Sequence, residues 1–164
     1  MDVGCFGEGS AAAREGQVTR VLFVGQQPET VDFTDPMLPS GMNADKIHAG
    51  IALALKQMAE RGWRVDLCLL QPDETAGPDV EQRLTAQPYD CVVIGAGIRL
   101  PPHSLSMFEA VINAVHRAAP GAAIAFNTRP EDSAAAARWL QATCIARRNF
   151  VSVSAARALE WSAK

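Results

Sequence analysis

Arg20–Gly25 reads RVLFVG and Asp90–Gly95 reads DCVVIG, two short runs of Val, Leu, Ile and Phe that each end on glycine. Their apolar residues are consecutive rather than alternate, which suits strands buried on both faces, the condition of a parallel sheet covered by helices. Further runs of strand length follow at Arg64–Leu70 and Ala122–Asn127, with a fifth expected near Cys144–Arg147.

The segments between these runs carry helical signals. Asn43 is placed to cap a helix over 44–61, whose Ile47, Ile51, Leu55 and Met58 share one face and which Gly62 stops. A short helix begins at Pro78 and runs to about Ala86. Ser104 is placed to cap a third helix, with Leu105, Phe108, Ile112 and Val115 at helical spacing, which Pro120-Gly121 ends. Pro130 suits the first position of an alanine-rich helix to Gln141, and a terminal helix contains Ala155–Trp161.

Strands that alternate with helices in this way predict a three-layer, doubly wound α/β domain over residues 20–164, with a parallel five-stranded sheet. Residues 26–43 form a long connection with Pro28, Pro36 and Pro39 and no sustained period, and loops of that length inside a domain are usually functional or disordered. Residues 1–19, with glycines at 4, 7, 9 and 16, read as a flexible tail without the basic-then-apolar order of a signal peptide.

Composition narrows the function classes. The formal charge of −3, with no Lys/Arg run longer than Arg147-Arg148, gives no basic field for nucleic acid. No apolar stretch approaches the roughly 18 residues needed to span a bilayer, so a soluble, cytoplasmic chain is expected. Cys5, Cys68, Cys91 and Cys144 are too widely spaced for a metal clamp or disulfide framework and read as reduced thiols.

In sheets of this kind the ligand crevice lies outside the carboxyl ends of the strands, where strand order reverses. The residues that fall there are Gly25, Gln26, Gln27, Gly95, Gly97, Arg99, Asn127, Thr128, Arg129 and Arg148.

From about residue 20 to 162 the order and lengths of the elements resemble a response-regulator receiver domain, a flavodoxin-like arrangement in which a sheet-end carboxylate is phosphorylated. The stretch YDCVVIGAGIRLP resembles that family's third strand and following loop. Thr128 falls where the family places Ser or Thr, and Arg148-Asn149-Phe150 resembles its Lys-Pro-Phe step. The resemblance implies association through residues 130–162, as a homodimer or with another protein.

The departures are equally specific. Gly25, Gln26 and Gln27 stand where the family carries paired acids, and Gly95 stands at the phosphoacceptor position. The oxygen ligands a divalent ion needs are missing from those positions, so phosphoryl transfer by that route is not expected. With the acids gone, Arg99, Arg129 and Arg148 beside Gly25, Gly95, Gly97, Asn127 and Thr128 outline a candidate site for a small anion. The bland reading is that the glycines turn the chain and the arginines are solvated.

Other constellations carry less. Gly95-Ala96-Gly97 lacks the third glycine of a dinucleotide fingerprint and follows the third strand rather than the first. Asp45 and His48 can share a helix side and, with Asp32 and Asp35 in the loop before them, could form a metal or acid/base cluster. A lone histidine with loop acids is more often surface decoration. No nucleophile elbow appears, and no cofactor or metal is implied. The expectation is therefore a non-catalytic, phosphorylation-independent module that acts by protein association or by binding a small anion. The alternative is a small-molecule enzyme with residues 26–43 as its lid.

Overall fold

The computed structural model describes residues 18–36 and 38–137. Its sheet has four parallel strands: β1 (Arg20–Gln26), β2 (Arg64–Leu70), β3 (Cys91–Ile94) and β4 (Ala123–Phe126), in the order β2-β1-β3-β4. Arg20 to Gln26 pair in register with Arg64 to Leu70, Val21 to Val24 with Cys91 to Ile94, and Cys91 to Ile94 with Ala123 to Phe126. The fifth strand and terminal helix expected from sequence lie outside the described residues. So do the expected tail up to residue 17 and Arg148.

Alternation along the central strands divides the core in two. Val21, Phe23, Cys91, Val93 and Ala125 face one side, where helix α1 (Ala44–Glu60) covers them with Ile51, Ala54 and Met58. Leu22, Val24, Val92 and Ile94 face the other, under α2 (Ala76–Ala86) and α4 (Leu105–Ala118), which bring Val80, Leu84, Val111 and Val115. Helices thus cover both faces, which is why β1 and β3 are apolar at every core position.

The helix boundaries follow local chemistry. The Asn43 side chain accepts from Lys46 N at 2.9 Å, and Gly62 takes the left-handed φ of 76° just past the end of α1. Helix α2 begins at Ala76, two residues before the expected start, because a proline in the first turn needs no N–H partner. Gly95–Arg99, read from sequence as a turn, contains the one-turn helix α3 (Ala96–Arg99). Ser104 is not a side-chain cap: a 3-10 turn over Pro102–Ser104 runs straight into α4 and buries it.

Beyond β4, the 3-10 turn Pro130–Asp132 and helix α5 (Ser133–Ala136) pack on the α1 side of the sheet, with Ala134 and Ala137 buried there. The Arg61 guanidinium donates to Ala134 O and joins the end of α1 to α5. Gly50 is the point of closest approach, since a Cβ there would lie 2.8 Å from Glu131 Oε1 and 3.1 Å from Pro130 Cβ.

Candidate functional site

The chain leaves β1 for β2 on one side and returns across it to β3 on the other, so the carboxyl ends of β1 and β3 border the switch point. The described residues expected at the crevice lie at this edge, but most are bonded within the chain, Arg99 to Asn127 and the rest to neighbouring residues. Gly95 N donates to Val24 O at 2.8 Å, and a Cβ on Gly95 would lie 3.2 Å from that same oxygen. The glycine here lets two strand ends close. Gln26 Nε2 donates to the carbonyl and hydroxyl oxygens of Thr30 at 3.1 and 3.2 Å, and Gln71 Nε2 donates to Gln27 Oε1 at 2.7 Å. A Cβ on Gly97 would meet the Gln26 side chain at ordinary contact, 3.7 Å from its Cβ.

Asn127 is the hub of the edge. It is 1% exposed; its Oδ1 accepts from Ala96 N at 2.8 Å and its Nδ2 donates to Ser133 Oγ at 2.7 Å. Ser133 Oγ in turn donates to Pro130 O at 2.6 Å. Arg99 Nη2 donates to Asn127 O at 2.9 Å, with the guanidinium 5.4 Å from the Phe126 ring centre and its Nε buried without a partner. One side chain therefore joins the starts of α3 and α5, and one guanidinium covers the end of β4.

The remaining candidates are arranged differently from the expected arginine ring. The Thr128 hydroxyl and backbone N both donate to the Asp132 carboxylate. Arg129 is exposed and follows it toward Glu131 and Asp132, so the charge beside it is acidic. Arg99 faces inward onto its own chain. Of the two described arginines, Arg129 is exposed and Arg99 half-buried.

His48 pairs with neither Asp45 nor the loop aspartates. Its Nε2 lies 2.7 Å from Glu29 Oε1, across the junction of the 3-10 turn Pro28–Thr30 with α1. Both side chains are about half exposed, and the hydrogen bond from His48 is the main cause that lowers the Glu29 carboxyl below its usual range. Asp32 is turned inward on Thr34, which lowers its carboxyl first, with a smaller contribution from the charge of His103. No group of three or more His, Cys, Asp or Glu among the described residues is arranged to hold a metal ion. Cys68 and Cys91 are free and buried, and burial pushes both thiols up.

One feature of this edge was not singled out in the sequence. A cleft of about 360 Å³ opens between the connection after β2 and the start of α4, with Asp73, Glu74, His103, Ser104, Met107 and Ala110 in its wall. From sequence Ser104 reads as a cap and His103 as an ordinary loop residue. No periodicity marks a residue buried by the meeting of two distant loops.

No helix among the described residues is long and apolar enough to cross a membrane. No protein-family model matches the chain, and no curated protein matches it.

Proposed function

We propose that this chain is a non-catalytic, receiver-like binding module that works without phosphorylation, through protein association at the carboxyl edge of its sheet. The observation that supports this reading is the state of that edge. Its polar groups are committed to each other through Asn127, Arg99, Gln26 and Gln27, while large apolar side chains around them are left outside: Leu100 is 55% exposed, Leu105 60% and Phe126 44%. Phe108 meets Phe126 edge to face at 6.0 Å and extends the apolar surface onto α4. Exposed apolar side chains beside polar groups that are mostly bonded within the chain are what an association surface presents.

Residues 130–162, expected from the resemblance to mediate association, are described only as far as 137, and there Ser133, Ala134 and Ala137 are turned in against α1. The small-anion reading is left with Arg129, because Thr128 is held by Asp132 and Arg99 by Asn127. The simplest partner is a second copy of the chain. Light scattering across a wide concentration range should show reversible association, weakened by Leu105→Glu and unchanged by a small phosphodonor with Mg²⁺. A stable, stoichiometric acyl phosphate in the intact mass would overturn the phosphorylation-independent reading. A monomer at every concentration would overturn self-association.

A further inference from the structure

Ser104 is a buried polar residue with unused hydrogen-bonding capacity. The residue is 4% exposed, its hydroxyl makes no cap bond and has no hydrogen-bond partner among the described residues, and its oxygen is not shut off from solvent. It sits in the wall of the cleft of about 360 Å³, a volume within the range of small-molecule sites. A hydroxyl that has no protein partner and opens on a cleft is free to bond an atom that enters it.

The rest of the wall fixes what that ligand must be. Asp73 Oδ1 accepts from Thr75 N and Thr75 Oγ1 at 2.9 and 2.7 Å, which sets the orientation of its carboxylate before anything binds. Glu74 follows directly, and neither acid forms an ion pair among the described residues. Met107 is buried beneath them, and Ala110 lies where a Cβ on Gly77 would come within 3.3 Å, so α2 and α4 close the bottom of the cleft. His103 is the sole wall residue able to carry positive charge. The cleft thus combines two carboxylates outside any ion pair, an apolar floor and the hydroxyls of Ser104 and Ser106, of which Ser104 is the buried one.

The geometry points to this cleft as a binding site for a small aliphatic ammonium compound. Its charge is met by Asp73 and Glu74, its hydrocarbon body lies on Met107 and Ala110, and a second polar group bonds Ser104 Oγ. Preset carboxylate geometry lowers the ordering cost of binding. This inference does not rest on the association reading, which concerns Leu100, Leu105 and Phe126.

The test is a titration of the full chain with 1,4-diaminobutane, followed by backbone amide resonances, with butyrate as an anionic control of matched length. Saturable shifts confined to residues 73–77 and 103–110 are expected with the diamine and none with butyrate. Glu74→Gln, at an exposed position, should raise the dissociation constant about tenfold, and Ser104→Ala about fivefold, the loss of one hydrogen bond. A melting temperature equal to that of the parent shows that each variant is folded. Shifts that fail to saturate, that centre on other residues, or that survive Glu74→Gln and Ser104→Ala undiminished overturn the proposal.

Discussion

Asn127 is one buried amide that satisfies a backbone N–H at the start of α3 and a hydroxyl at the start of α5. Truncating it strips the Ala96 N–H of its partner and leaves the Ser133 hydroxyl only its bond to Pro130 O, which costs more than the net value of one bond. Asn127→Ala is expected to lower stability by about 2–3 kcal/mol in urea unfolding. Cys91 carries a different kind of cost. Burial first, and the charge of Asp90 second, push its thiol from 9.0 up to about 12. The folded state therefore favours the protonated thiol, so this contribution is complete below pH 9 and is lost as pH rises from there toward 12. Unfolding measured across that window should show falling stability, with the loss reduced in Cys91→Ala relative to its own value at pH 8. A thiol-alkylating reagent at pH 8 should leave Cys68 and Cys91 unmodified in the folded protein and label both in denaturant.

At the scale of elements, α1 shows local preference and tertiary contact acting in opposite directions. Asn43, the apolar stripe and Gly62 define the helix in sequence, while Gly50 in its middle is a poor helix former. The structure gives the reason: the turn that begins α5 presses on that position through Pro130 and Glu131. Gly50→Ala gains about 1 kcal/mol of helix propensity. The exposed Glu131 side chain can swing away, but the Pro130 ring can move only with its backbone. The net result expected from thermal unfolding is a loss of about 1 kcal/mol, because overpacking outweighs propensity. The connection after β1 is likewise shaped by its neighbours. Without helical or strand periodicity it still forms a 3-10 turn at Pro28–Thr30, held by Gln26 from β1 and by the pairing of Glu29 with His48 on α1.

For the whole molecule, the decisive feature is that β1 and β3 sit in the middle of the described sheet with helices on both sides. Val21, Leu22, Val24 and Cys91 to Ile94 have no accessible surface. Their amides open only when both layers separate, whereas β2 and β4, the outer strands of the described sheet, keep half-exposed residues. Hydrogen exchange should therefore show the slowest amides in Val21–Val24 and Val92–Ile94, with β4 and the start of β2 exchanging earlier. Uniform protection across all four strands would contradict this layering. A polar cluster holds the opposite, amino end of the sheet: Asp66 accepts from Gln87 at 2.6 Å and Tyr89 at 3.0 Å and lies 3.5 Å from Arg20. The amino edge is thus tied by charge and the carboxyl edge by Asn127, which leaves the cleft beside α4 as the open feature of that side.

The amino-acid sequence alone determined the α/β class, the positions of β1, β3 and α1, and the carboxyl edge as the place to look. Those readings depend on the spacing of apolar residues and on caps a few positions away, which are local quantities. The order of the strands, the use of Gly95 to admit Val24 O, the pairing of His48 with Glu29, and the inward turn of Arg99 were decided by tertiary structure. Each joins segments far apart in the chain, so no window of sequence contains both partners. Ser104 shows the difference at one residue: its type and position suit a helix cap, but the loops that close around it place it in the wall of a cleft.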